Sequence, residues 1–269
     1  MMLLNGAKVT PAATFFAPLD MAPILIAEQQ DGLLTLTLNR PDKRNALNTE
    51  LYQQLVAALR EAAADEEVHV LLLQGQQDCF TAGNDLADFM GKSSLEPDDP
   101  ILQFLHTLAD FPKPVVAAVA GPAVGIGTTI LLHCDLVYLG DNARLQLPFV
   151  ELGLVPEFAS SLLLPRLVGH LKAAELLLLA EAMDAEEALR LGLANKVVAA
   201  DGLLSFAREQ GLKLAAKPPR ALQKSKALLK QELKQAVHFV IDLEARAFAQ
   251  ALQGEEAQQR IAQKLKRRG

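Results

Sequence analysis

Residues 115–135, VVAAVAGPAVGIGTTILLHCD, limit the choice of fold more than any other stretch of the chain. VVAAV is a continuous apolar run of strand length, the pattern of a strand covered on both faces. The glycines of GPAVGIG allow turns that bulkier residues resist. The apolar stretch from Gly125 to His133 reads as a helix. A doubly covered strand, a tight turn and a helix in succession belong in a layered α/β core.

The rest of the first two-thirds repeats the theme. LLTLTL at residues 33–38 alternates Leu with Thr, the period of a half-buried strand. Residues 24–28, ahead of Asp31-Gly32, supply its hairpin partner. Asn48 and Thr49 cap a helix to about Ala64, with Leu51, Leu55, Ala58 and Leu59 on one stripe. Further strands are expected at residues 68–73, 136–139 and 143–147, and a mobile loop at residues 91–100. From Ala159 the pattern turns helical. Asp184 opens one helix, with acids in its first turn and Gly192 at its end. Pro218-Pro219 opens another, and the last thirty residues hold one or two more. These tail helices are marginal alone, so they are expected to pack on the body or on a neighbouring subunit. The resulting division is a loose extension over 1–22, an α/β core over 23–200 and a helical region over 201–269.

With 269 residues, 51% of them apolar, the chain can bury the core of one large domain. A net charge of −6 argues against nucleic acid as a partner. Cys79 and Cys134 form no Cys-x-x-Cys pair, and the five histidines are scattered, so no metal set is expected. Free cysteines suit a reducing, cytoplasmic setting. No apolar run reaches the roughly 20 residues of a membrane span, and the N-terminus lacks the pattern of a secretory signal.

Three segments carry the chemistry: NRPDKRNALN at residues 39–48, CFTAGNDLADF at residues 79–89, and the glycine-bearing stretch above. Gly125-Ile126-Gly127 lacks the third glycine of a dinucleotide fingerprint, and neither a P-loop nor a GxSxG elbow is present. Alone, each segment is an ordinary turn. In this order and spacing they resemble the crotonase (enoyl-CoA hydratase/isomerase) superfamily, from about Ile24 to the C-terminus. Pro112-Lys113-Pro114, Cys134-Asp135 and ALRLGLANKVV at residues 188–198 extend the match.

The resemblance implies a spiral of ββα turns, C-terminal helices that drive trimer formation (a trimer or a dimer of trimers), and an acyl-CoA substrate with no separate cofactor. It implies that two backbone N–H groups hold the thioester oxygen as charge develops on it; such a donor contributes roughly 3–4 kcal/mol in comparable sites. The donors implied are Ala82 and Ile126. CoA is expected along Lys43, Arg44, Ala46 and Leu47 and along Gly83, Asn84, Asp85 and Leu86, with Gly125 in the turn. Lys43 and Arg44 suit its phosphates, or are merely solvated. Asn84 orients water or thioester, or shapes its turn; Asp85 closes its own turn.

The hydratases of the superfamily carry two glutamates. Here Thr129 and Phe149 fall at those positions, and Glu151 restores the second only with a gap. Glu157 in Val155-Pro156-Glu157-Phe158 instead resembles the Δ3,Δ2-enoyl-CoA isomerase branch, where one carboxylate serves as acid and base. Apolar neighbours would raise its pKa and a helix N-terminus would lower it. The plainer alternative is an exposed first-turn glutamate. The rival functions are another crotonase reaction, such as hydration through Glu151 or thioester hydrolysis, and an acyl-CoA-binding homologue without catalysis. Leu95, Phe104 and Leu105 are candidates for the acyl-tail pocket.

Overall fold

The computed structural model describes residues 22–76, 78–89 and 96–266. The extension expected over 1–22 lies outside the described residues except for its last position. Leu95 and the first half of the loop at 91–100 also lie outside them.

Strand β1 (Leu25–Gln30) pairs antiparallel with β2 (Leu33–Leu38) across Asp31-Gly32, with Leu25 opposite Leu38. Helix α1 (Thr49–Ala64) starts where the Asn48 side chain accepts from the Leu51 N–H at 3.0 Å. Asn48→Ala removes that cap and is expected to lower unfolding free energy by about 1 kcal/mol in chemical denaturation. Strand β3 (Val70–Gln74) follows, then α2 (Pro100–Ala109), β4 (Val115–Val119) and β5 (Pro122–Val124). After the short α3 (Ile126–Thr129), which continues as a 3-10 turn over Ile130–His133, come β6 (Leu136–Gly140) and β7 (Arg144–Gln146). The remainder is α4 (Ser160–Val168), α5 (His170–Ala174), β8 (Met183–Asp184), α6 (Ala185–Arg190), β9 (Lys196–Val198), α7 (Leu203–Ala215), α8 (Pro219–Lys230), α9 (Lys234–Gln253) and α10 (Glu255–Lys266).

The larger sheet has the order β1-β2-β3-β4-β6-β9, parallel from β2 onward. The central strands β3 and β4 are covered on both faces, which is why they read as unbroken apolar runs, whereas β1 and β9 at the edges are partly exposed. Val70, Leu72, Val116 and Ala118 meet α7 residues such as Leu203 and Ala207. Leu71, Leu73, Val115 and Ala117 face the main core with α1 and α2. A smaller sheet, β5-β7-β8, branches from the end of β4. Helix α2, absent from the sequence expectation, begins with an Asp99 side-chain cap and Pro100 in its first turn. Among the described residues no helix is long and apolar enough to cross a membrane.

Candidate active site

Two loops are laced together at the end of the larger sheet. In the first, Arg44 and Asn45 have left-handed φ values of 51° and 55°. That conformation leaves the Lys43 and Arg44 side chains exposed and turns Asn45, Ala46 and Leu47 inward. The buried Asn45 amide donates to the carbonyls of Cys79 (3.0 Å) and Phe80 (3.1 Å), and Thr81 Oγ1 donates to Asn45 O (2.6 Å). Arg40 adds an ion pair to Asp85 at 3.3 Å, and Asp85 also accepts from Ala87 N–H in its own turn.

The backbone amides of the second loop can be accounted for one by one. Thr81 N–H donates to Pro122 O at 3.0 Å, Gly83 N–H to Thr81 Oγ1 at 3.1 Å, and Asp85 N–H to Leu47 O at 2.8 Å. Ala82, the donor expected from the motif, is not free: its N–H donates to Arg44 O at 2.9 Å. The Asn84 N–H makes no hydrogen bond among the described residues. The reason is Gly83, with φ of 90°. An ordinary strand alternates its amides from edge to edge. The glycine reverses that alternation, so Gly83 O and Asp85 N–H both bond Leu47, and the Asn84 amide between them faces the other side. A side chain at residue 83 would meet Val124 O at 2.7 Å, so only glycine permits the reversal.

On that other side lies β5. Thr81 and Ala123 form a parallel bridge. Three residues beyond it on one chain is Asn84; three residues beyond it on the other is Ile126. Gly125 (φ 56°, ψ −114°) turns the chain, and α3 starts at Ile126. Thr128 and Thr129 N–H both return to Gly125 O, whereas the Ile126 N–H is a first-turn donor with no partner among the described residues. The free amide pair is therefore Asn84 and Ile126.

Glu157 is 7% exposed. Its Oε1 accepts from Thr129 Oγ1 at 2.5 Å, and Thr129 in turn reaches Ile126 O at 3.3 Å. Glu157 and Asn84 line a narrow cavity whose other walls are apolar: Leu105 from α2, Phe158, and Ile241 and Phe248 from α9 among them. Burial pushes the Glu157 carboxyl up to about 8, against the Thr129 hydrogen bond and with help from Glu244. Glu244 also removes the helix-terminus conflict. Its carboxylate accepts from Ala159 N–H (2.6 Å) and Ser161 N–H (3.0 Å), so the amides at the head of α4 are occupied by a second acid. Tyr52 O–H donates to Asn84 Oδ1 at 2.5 Å; burial and then Glu157 raise its pKa well above the usual phenol value. A wider hollow of about 450 Å³ beside α8 and α9 includes none of these groups.

Residues 28–268 match the family described as enoyl-CoA hydratase/isomerase. The chain belongs to this family. It is 36% identical to enoyl-CoA delta isomerase 2 of Rattus norvegicus over 225 residues, which are 80% of this chain and 56% of that protein. The chain thus spans little more than half of that relative's length. It is 36% identical to the 2,3-dehydroadipyl-CoA hydratase of Escherichia coli (strain K12) over 91% of this chain and 96% of that one. Among solved structures it is similar to Pseudomonas aeruginosa OdaA, with 45% identity, a TM-score of 0.88, and coverage of 91% of this chain and 99% of that one. The fold is the crotonase fold, and relatives in the isomerase branch share about a third of the sequence.

Within this enoyl-CoA hydratase/isomerase frame, the expected residues fall as follows. Lys43, Arg44, Ala46, Leu47, Gly83, Asn84, Asp85 and Leu86 lie on the two laced loops, and Gly125 on the turn into α3. Glu151, the gapped hydratase candidate, is exposed on a 3-10 turn, and Phe149 is buried. Leu105 reaches the cavity; Phe104 packs between Tyr52 and Phe158 at ring separations of 5.3 and 6.2 Å. Tyr52, Thr129 as a partner of Glu157, and Glu244 carry no motif that marks them.

Proposed function

We infer that this enzyme of the enoyl-CoA hydratase/isomerase family is a Δ3,Δ2-enoyl-CoA isomerase. The observation that carries the reading is a single buried carboxyl in an apolar cavity, with Thr129 where a second acid would stand. The ionised Glu157 takes a proton from C2 of a 3-enoyl thioester. The electron pair moves toward the carbonyl, whose oxygen is held by the Asn84 and Ile126 N–H groups. The same carboxyl returns the proton at C4, leaving the double bond between C2 and C3. No water and no second acid are needed. The exposed Lys43 and Arg44 suit the CoA phosphates, and the apolar walls suit a fatty tail. Breakdown of unsaturated fatty acids in the cytoplasm is the matching role. Leu171, Leu178 and Leu179 are 84%, 66% and 64% exposed, which supports burial against further copies in a trimer.

Purified protein mixed with 3-hexenoyl-CoA is expected to produce the absorbance of a conjugated enoyl thioester. No rise, with crotonyl-CoA hydrated instead, would overturn the reading in favour of a hydratase; binding with neither reaction would favour a non-catalytic homologue. The base form of Glu157 is required, and it forms as pH rises through about 8. Hence kcat/KM is expected to be low at neutral pH, to climb through that value and then to level off.

A further inference from the structure

We propose that Glu244 is a positioning residue for Glu157: it occupies the amide donors at the head of α4 and so keeps the neighbouring carboxyl turned toward Thr129 and the cavity. The proposal rests on the isomerase reading for its kinetic consequence, but its geometry stands apart from the reaction.

The corner that presents Glu157 is an unusual piece of backbone. Phe158 and Ala159 both have left-handed φ values, 59° and 55°, although neither is glycine. Two such residues in succession persist only where their surroundings hold them. Four hydrogen bonds do so. Glu244 Oε2 accepts from Ala159 N–H, Glu244 Oε1 accepts from both Ser161 N–H and Ser161 Oγ, and the buried His133 Nε2 meets Phe158 O at 2.8 Å. His133 also stacks on the Phe158 ring with centroids 3.7 Å apart.

Helix α4 has no side-chain cap of its own, because its N-cap is Ala159. Its leading amides therefore need an acceptor from elsewhere. Glu157 lies two residues before that cap and is the nearest acid in sequence. Were it to turn back and take these donors, its carboxylate would be stabilised by the helix dipole and drawn away from the cavity. Glu244, 85 residues beyond Ala159 in the chain, forestalls this by supplying the acceptor from α9. Its negative charge faces Glu157 and raises the proton affinity of that group further.

The other groups around the pair leave this relation intact. From α3 comes the uncharged Thr129. From α1 comes Tyr52, held as a neutral phenol by burial. His133, on the 3-10 turn after α3, is kept neutral because burial lowers its pKa to about 3. Lys230 of α8 donates to His133 O behind it, and α2 contributes the apolar Ile101, Leu102 and Leu105. Glu244 itself is raised by burial, with its three donors working against that rise. Both of its oxygens accept, which fits the ionised form.

The test replaces Glu244 by Gln and follows the Glu157 carboxyl carbon by NMR titration of 13C-glutamate-labelled protein, with Glu157→Gln identifying its signal. The titration midpoint of Glu157 is expected to fall by about one pH unit or more, a tenfold change in its dissociation constant. The acid limb of kcat/KM is expected to shift by the same amount. Where Glu244→Gln fails to fold, the double variant Glu244→Gln/Ala159→Gly relieves the left-handed strain and restores the fold. In it the midpoint of Glu157 is still expected to be lowered. A folded variant with the midpoint unmoved overturns the proposal, as does a double variant that regains the wild-type midpoint, because Glu244 would then be only a clamp on the corner. Absence of isomerisation in the wild-type protein counts against the isomerase reading alone, since the carboxyl titration reads Glu244 without turnover.

Discussion

Glu157→Gln is expected to lower kcat for 3-hexenoyl-CoA isomerisation by about a thousandfold while leaving hexanoyl-CoA binding within about twofold, in line with removal of a general base. The substitution is nearly the same size, so it opens no void in a wall formed by Phe158, Leu105 and Phe248. The amide oxygen still accepts from Thr129 Oγ1, the contact that fixes the carboxyl at 2.5 Å. What the variant loses is the ability to receive a proton at C2 and return it at C4. Stopped-flow absorbance gives the rate, and calorimetry with the saturated thioester gives the affinity. A variant that keeps more than a tenth of the wild-type rate would show that another group moves the proton, and would remove the main support for isomerisation.

Much of the fold was legible because local and global demands coincide. Asn48 supplies a cap that the helix uses as expected, and residues 33–38 form the expected strand, but it is buried on both faces rather than half-buried, because Thr35 is 3% exposed between the leucines. The doubly covered β3 and β4 show themselves as apolar runs. Helix α2 has no counterpart in the sequence reading, although Asp99 and Pro100 mark its start where the expected loop ends, because Phe104 and Leu105 after it are read only as tail-pocket candidates and not as one face of a helix. At the candidate site, Glu157 lines the cavity and the Ile126 N–H is unpartnered among the described residues, both placements that the motifs lead one to expect. The Ala82 N–H is not free: the motif identifies the loop, but which amide stays free depends on the sign of one φ angle, at Gly83, and on a bond from Ala82 to Arg44 across the loops. Glu244 left a fainter trace. It shares the stripe of Ile241, Ala245, Phe248 and Leu252, all buried on α9. An acid at such spacing has to find partners inside the protein, although the sequence does not say which.

The donor assignment itself is best tested at Ile126. Backbone amides survive most substitutions, but proline deletes the N–H outright. The first position of a helix is where proline is tolerated, because no intrahelical bond is lost there and the required φ is already helical. Ile126 occupies that position in α3. Ile126→Pro is therefore expected to lower kcat by about 10²–10³-fold, the loss found when one oxyanion donor is removed. Saturated thioester binding should weaken little, because the negative charge on the oxygen develops only during the reaction. Ile126 is 1% exposed, so loss of its side chain will also destabilise the protein. Ile126→Ala separates the two effects: it makes a larger void but keeps the amide. The alanine variant should retain most of the rate at a temperature where both proteins are folded, and the proline variant should not. Equal rates in the two variants would mean that this amide does not hold the enolate oxygen, and that the negative charge is stabilised elsewhere in the cavity.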